Sequence, residues 1–412
     1  MKKITVSCLG LGMRGSVYLD LLSKKKEQYE IVSICDPNLD KLNYYQKLYN
    51  VKKELAFNDE LEFFKQKRSD LIIIATLDKD HLYHLLKSLK LDYPYILCEK
   101  PFCTTIDEIN QVMEEKDKHE TKIFVCHVLR YAPAFLKAKE LIDHGMIGEL
   151  KSIDALERVG LAHQAHSYVR GSFGKKEFSS PMIMAKCSHD LDLLVWYSSS
   201  LCESISSFGS LSYFIKDNKP EGASNRCFDC KYHNSCYFDA YHQYEKELTW
   251  GRVYVTNERP ITDEAVNRAL ENGPFGRCVF DCDNDVVDNQ VVMMNFKNGV
   301  TASLRMSAFF PRDGRRYCFM GTKGEIVLDE WEGKLTLYQL DKKITTWEIS
   351  NLVDSLSGHG GGDKGLIDAL YDEIVSENLT NETSIEYSLE SHLMALYAEE
   401  SRLNNGKLIK MK

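Results

Sequence analysis

The chain has 412 residues, 43% of them hydrophobic and 27% charged, with a net charge of -9. That length is enough for two domains that each bury a core, its apolar runs stop short of the ~20 residues of a membrane span, and its acidic balance leaves no electrostatic footprint for a nucleic-acid backbone. Lys2 and Lys3 precede apolar residues, but Gly10, Gly12 and Arg14 interrupt any signal-like core, and thirteen cysteines, most of them inside apolar runs as at Cys8, Cys35, Cys98 and Cys126, read as reduced thiols in the cytoplasm.

The first apolar run, residues 4–9, is followed by Gly10-Leu11-Gly12-Met13-Arg14-Gly15 and an amphipathic stretch over 16–26. Strand, glycine turn and helix in that order make a dinucleotide pocket. Gly10 permits the tight turn, Gly12 lets the backbone approach a pyrophosphate, Gly15 allows the helix to pack on the strand, and the phosphates meet the helix N-terminus. A second run, 31–35, ends in Asp36, twenty-one residues after Gly15. A carboxylate there accepts the adenosine ribose hydroxyls and repels a 2'-phosphate, so NAD is favoured over NADP.

Further apolar runs at 71–75, 95–98 and 123–128 alternate with helical patterns at 82–89 and 106–119, which predicts an α/β fold with a doubly wound parallel sheet. Cofactor and substrate belong at the carboxyl ends of those strands, where Asp36, Thr76 and Glu99-Lys100-Pro101 fall. Pro101 restricts the exit of the chain, and Lys100 could hydrogen-bond an oxygen that becomes an alkoxide or carbonyl as hydride moves.

After a helix over 134–143 the pattern changes. Strands at 150–158, 203–213, 290–296, 301–307, 316–320, 325–328, 334–339 and 344–349 predict a largely antiparallel sheet with one buried face. Late helices are expected at 364–377 and 385–404. The domains are therefore placed at 1–128 and 129–412, with a cysteine-rich insertion at about 217–288.

Two constellations lie in the second domain. In Lys186-Cys187-Ser188-His189-Asp190-Leu191-Asp192, helical spacing puts Lys186, His189 and Asp192 on one face. His189 can take a hydroxyl proton, with Asp192 or Lys186 beside it. The insertion carries Cys227-x-x-Cys230 with Cys236 six further on, then Cys278 and Cys282. Such thiols suit a closed, structural zinc held by Cys227, Cys230, Cys236 and Cys278, with Cys282 and His233 as rivals for the fourth place, pinning the insertion onto the sheet domain. An iron–sulfur cluster is less favoured than zinc, since the spacing is not a ferredoxin run, and reduced packing thiols or a disulfide are the alternative to any metal.

The chain resembles the Gfo/Idh/MocA oxidoreductases, named for glucose-fructose oxidoreductase and inositol dehydrogenase. The likeness runs nearly end to end. It rests on the glycine fingerprint, on Ala75-Thr76 followed by His81, on Glu99-Lys100-Pro101, and on Lys186 through His189 to Asp192. Gly321-Thr322-Lys323-Gly324, Ser391-His392 and Ser401-Arg402 extend it. It implies a Rossmann domain followed by an open-faced α+β domain, NAD(P)-linked chemistry on sugars or polyols, and a homodimer or homotetramer pairing through the open sheet. It also implies Lys100 and His189 as the reacting groups, with Met13, Arg14, Thr76, His81 and Glu99 at the cofactor. The chain departs from inositol dehydrogenases at Ala185, where they carry an aspartate four residues before the histidine, so Asp192 or Lys186 would have to substitute. A subset of the family is matched by Arg130-Tyr131-Ala132-Pro133, by His163, His166 and Arg170, and by His359 with the glycines after it, all suited to reading hydroxyls. For the last stretch, a glycine run that simply opens the following helix is the alternative.

The reading is thus an NAD-dependent oxidoreductase of a sugar, polyol or glycoside. Two rivals stay open: a redox-assisted glycosidase that recycles its NAD, and a sensor that binds NAD or sugar without turnover.

Overall fold

Strand β4 (Leu71–Ile74) is Leu-Ile-Ile-Ile and wholly buried, as expected of a parallel strand covered on both faces. It belongs to a six-stranded sheet with β1 (Ile4–Leu9), β2 (Tyr29–Cys35), β3 (Ala56–Phe57), β5 (Tyr95–Cys98) and β6 (Lys122–Val125), in the order β3-β2-β1-β4-β5-β6. Every pair in it is parallel. The order reverses between β1 and β4, the switch point at which ligands bind in open α/β sheets. Helices α1 (Met13–Ser23), α2 (Leu39–Leu48), α3 (His81–Lys90) and α4 (Ile106–Lys116) connect the strands. Asn38 caps α2 through the Lys41 N–H and Thr105 caps α4 through the Glu108 N–H. Helix α1 starts inside the glycine motif, with Gly12 at its N-cap and no side-chain cap, which leaves its first N–H groups for a ligand.

The computed structural model describes residues 3–233, 235–352, 357–376 and 383–411. They group into two units: Met1–Cys126 with Ala162–Ser180 and Ser212–Val286, and His127–Leu161 with Pro181–Leu211 and Val287–Lys412. The cysteine-rich insertion is therefore grouped with the parallel sheet, whereas the sequence placed it with the second sheet. Its core gathers Cys227, Ala240, Tyr244, Leu248, Val266, Leu270 and Phe275 from the insertion itself, with Ala162 joining from the 162–180 segment.

The second unit is built on a nine-stranded sheet in the order β14-β13-β12-β11-β7-β10-β9-β8-β15. The strands are β7 (Leu150–Gly160), β8 (Cys202–Ser210), β9 (Asn289–Phe296), β10 (Thr301–Phe310), β11 (Gly314–Gly321), β12 (Gly324–Asp329), β13 (Lys334–Gln339), β14 (Ile344–Glu348) and β15 (Ile409–Lys410). Only β7 and β10 run parallel; the others pair antiparallel, as the alternating pattern predicted. Residues on β9 and β10 alternate between buried and more exposed. Helices α5 (Pro133–Asp143), α6 (Ser188–Ser198), α7 (Gly362–Ser376) and α8 (Ile385–Leu403) complete the unit, with α6 and α8 packed together and α8 against β8. Phe208 and Met293 stay more than half exposed on the sheet. Strand β15 was not expected: two residues after α8 pair with β8 at a register no local pattern announces. Among the described residues no helix is long and apolar enough to cross a membrane.

Candidate active site

The glycine turn of the first unit satisfies each demand the sequence placed on it. Gly10 has φ +92°, and a Cβ there would lie 2.4 Å from the Ala75 carbonyl oxygen. A Cβ on Gly15 would strike the Gly10 oxygen at 1.9 Å, whereas one on Gly12 meets nothing within 4 Å. The open side of Gly12, next to the uncapped start of α1, is the space a pyrophosphate requires, so the residues present fit a dinucleotide.

Two sets of hydrogen bonds knit the predicted cofactor residues together. Asp36, almost fully buried, accepts the Leu11 N–H at 2.8 Å on one carboxylate oxygen and the Asn38 N–H at 2.9 Å on the other. Its charge is thereby fixed against the glycine turn. Across the sheet, Arg14 donates from Nε to Glu99 Oε1 at 2.6 Å, and the Tyr18 hydroxyl donates to the same oxygen at 2.6 Å. Burial raises the Glu99 pKa, but Arg14, Lys100 and Tyr18 outweigh it and hold the carboxyl below its ordinary value. Glu99 also accepts the Lys100 N–H. His81, wholly buried, donates from Nδ1 to the Pro101 carbonyl at 2.7 Å, so it grips the turn from behind. Thr76 spends its hydroxyl on His84 Nδ1, whose other nitrogen meets Glu60.

In the second unit His189 lies on the first turn of α6, among imidazoles. Its ring is 5.8 Å from that of His127 and 5.7 Å from that of His359, while His127 and His392 are 5.7 Å apart. His359 has φ +53° and places Nδ1 3.2 Å from Asp363 Oδ2, and the glycine run opens α7, as the alternative reading held. Asp192 is engaged elsewhere. Arg130 grips it with Nε at 2.7 Å and Nη2 at 2.8 Å, and His127 Nε2 is 3.8 Å away. Lys186 points its ammonium at Glu157, 3.3 Å off, within a buried network in which Arg315 bridges Glu157 and Asp190 and Tyr317 donates to Asp190. Burial pushes the Glu157 carboxyl up to about 8 against the pull of Arg315 and Lys186. Both residues expected beside His189 thus anchor the helix that carries it. The Tyr131 and Thr383 hydroxyls share a hydrogen bond at 3.1 Å.

Residues 4–127 match the family described as "Oxidoreductase family, NAD-binding Rossmann fold" and residues 139–408 its C-terminal alpha/beta domain. The chain belongs to the Gfo/Idh/MocA oxidoreductase family. It is similar to the putative oxidoreductase YteT of Bacillus subtilis, 26% identical over 85% of this chain and 84% of that one. It is also similar to the inositol 2-dehydrogenase of Salmonella paratyphi B, 25% identical over 34% of this chain and 42% of the relative's length. In fold it is similar to an inositol dehydrogenase homolog complexed with NAD+ from Azotobacter vinelandii, with a TM-score of 0.72 at 13% identity, covering 100% of this chain and 98% of the other.

Within this family member the other three expected substrate residues are packed into the insertion. His166 stacks on Phe275 at 4.9 Å and meets the Tyr244 hydroxyl at 2.7 Å, and His163 lies edge-on to Trp250. Arg170 is buried, donating to the Phe238 and Arg277 carbonyls and to Cys227 Sγ. The hydrogen bonds of His166 and Arg170 and the ring contact of His163 hold the insertion together, which spacing along the chain could not reveal. Two residues escaped the sequence reading. His127 sits at the end of β6 with no motif around it, and Tyr254 of the insertion brings its hydroxyl 3.6 Å from Met13 Sδ at the glycine turn.

The zinc expectation needs correction. Among the described residues no three His, Cys, Asp or Glu side chains are arranged to hold a single metal ion. Cys227, Cys230, Cys236 and Cys278 do line one cavity, as the choice of Cys278 anticipated, but they border a void of about 130 Å³ instead of closing on a point. Of the rivals, His233 turns Nδ1 to Asp239 at 2.7 Å, and Cys282 does not line the cavity.

Proposed function

We propose that this oxidoreductase is an NAD-dependent dehydrogenase that oxidises a hydroxyl-bearing carbon of a sugar or polyol. When bound, NAD supplies the hydride acceptor. His189 accepts the hydroxyl proton, and the Lys100 ammonium stabilises the oxygen as charge develops. Asp192 with Arg130, and Lys186 with Glu157, are positioning residues that fix α6 and so the His189 ring. The Asp36 carboxylate favours NAD over NADP by repelling a 2'-phosphate.

The observation that carries this reading is the Arg14–Glu99 pair: it ties the turn bearing Lys100 to the helix that follows the glycine loop. The relatives reported above, one named as an inositol dehydrogenase, support a polyol over a glycoside. Purified protein mixed with NAD and a panel of free sugars, inositols and aryl glycosides tests it. NADH should accumulate on a free sugar or polyol. Release of aglycone without NADH, or bound NAD with no turnover anywhere on the panel, would refute the proposal.

We further propose a homodimer or homotetramer formed through the nine-stranded sheet, where Phe208 and Met293 are 57% and 54% exposed. Light scattering on the wild type and on Met293→Lys tests this; a monomeric wild type would reject it. Most of the thirteen cysteines are buried inside the fold, which supports a reducing compartment such as the cytoplasm.

A further inference from the structure

We propose, building on the dinucleotide reading of the glycine turn, that the insertion supplies part of the cofactor site: Tyr254 meets the phosphates and Arg259 the adenosine end of a bound NAD. The segment that carries them begins with a 3-10 turn, Thr249–Gly251, and a short helix, Arg252–Val255, and belongs to the same unit as the parallel sheet. Its inner side is fixed to the insertion. The His166 ring lies 5.1 Å from that of Trp250 and 5.4 Å from that of Tyr254, and a Cβ on Gly251 would come 3.1 Å from His166 Cε1. Val255 and Ile261 pack on the core of the insertion, and Arg252 pairs with Asp263.

Two side chains of this segment reach the nucleotide half. Tyr254, 40% exposed, holds its hydroxyl 3.6 Å from Met13 Sδ, one residue past the open side of Gly12, and the charges of Arg14 and Glu99 act on that hydroxyl. A phenol there can donate to a phosphate oxygen alongside the uncapped N–H groups of α1. Five residues on, Arg259 lines one cleft with Asp40, Asn43, Tyr44 and Lys47 of α2, the helix that follows Asp36. Lys41 of the same helix feels both ends of this arrangement. Burial lowers its pKa, the Asp36 carboxylate raises it, and the Arg259 guanidinium lowers it further.

The two contacts lie at either end of what a dinucleotide must cover, from phosphates at the glycine turn to a ribose on Asp36. Arg259 is also prepared for such a ligand. Its Nη1 donates to the Thr256 and Glu258 carbonyls and its Nη2 to the Val253 carbonyl, which fixes the plane of the guanidinium without neutralising it. The Glu258 carboxylate is spent on Arg268, and Asp40, the carboxylate of the cleft, shares it with the Lys47 ammonium. A fixed planar cation beside α2 suits the face of an adenine base, on which a guanidinium stacks better than an ammonium. Seating the insertion requires neither group, because Val255, Ile261 and the His166 ring already do so.

The test is NADH affinity, read by fluorescence titration beside thermal melts. Tyr254→Phe and Arg259→Gln should each weaken NADH about tenfold at a melting temperature close to that of the wild type. Arg259→Gln should weaken adenosine monophosphate by a similar factor, which a residue that only docks the insertion would not do. Hydrogen exchange of the wild type is the second measurement and needs no variant to fold: NADH should slow the amides of 249–259 together with those of the glycine turn. Unchanged NADH affinity in both variants, affinity lost only in step with melting temperature, or protection of the glycine turn with none over 249–259 would each overturn the proposal. A wild type that binds no NADH would overturn the dinucleotide reading along with it.

Discussion

Arg130 and Asp192 form a two-pronged ion pair, Nε to Oδ2 at 2.7 Å and Nη2 to Oδ1 at 2.8 Å, with both side chains almost fully buried. The sequence pattern suggests a substrate contact for Arg130 and a partner of His189 for Asp192. Together they bind the turn after β6 to helix α6. Removing one partner strands a buried charge, so Arg130→Met should cost about 3–5 kcal/mol. The double variant Arg130→Met/Asp192→Leu should recover much of that. Urea unfolding midpoints of the three proteins check it; equal losses in single and double variants would show that the pair does not act as a unit.

The glycines separate binding from folding. Gly12→Ala places its methyl in open space, so thermal stability should hold while NADH affinity falls about tenfold or more, because the backbone can no longer approach the phosphates. Gly15→Ala drives a methyl into the Gly10 oxygen and should lower the melting temperature. Fluorescence titration with NADH and thermal melts of both variants distinguish the two effects.

Asp36→Ser removes a negative charge fixed beside the glycine turn. The ratio of kcat/KM for NAD to that for NADP should fall by about tenfold or more, mainly through better use of NADP. An unchanged ratio would take cofactor discrimination away from this carboxylate.

His189→Ala should reduce kcat by about 10²–10⁴-fold, the usual worth of a positioned proton acceptor, with NADH affinity unaltered. Lys100→Met should reduce it by about 10²–10³-fold. Stopped-flow hydride transfer and NADH titration are the measurements, and turnover preserved in His189→Ala would move proton transfer to another residue.

Burial, with His163 and Arg170 nearby, holds the His166 imidazole down to about 3 from an ordinary 6.5. The folded value lies below the unfolded one, so the stability it contributes is complete above pH 6.5 and is lost as pH falls from 6.5 toward 3. At pH 5 that loss amounts to about 2 kcal/mol. Unfolding at pH 7 and pH 5 should show it in the wild type, and His166→Phe should remove most of the difference.

Much of the nucleotide half was legible because its demands are local. A glycine that needs φ +92°, an N-cap without a side chain and an acid at the end of β2 each leave a mark within a few residues. Glu99 and Lys100 could be placed at a strand end, but the grip of Arg14 on Glu99 spans 85 positions and has no periodicity. The same limit hid His127, a lone histidine whose neighbours His189 and His392 come from distant helices.

What the sequence determined by itself was the order of most strands and helices, the dinucleotide turn and the family to which the chain belongs, since hydrophobic period and turn chemistry act between near neighbours. Tertiary structure decided which polar groups spend their hydrogen bonds on the scaffold: Asp192 on Arg130, Lys186 on Glu157, and His166 and Arg170 inside the insertion. It also decided that the four thiols line one cavity without meeting at a single point. Buried polar groups must find partners wherever the fold brings them, and those partners are chosen by packing across the chain, not by spacing along it.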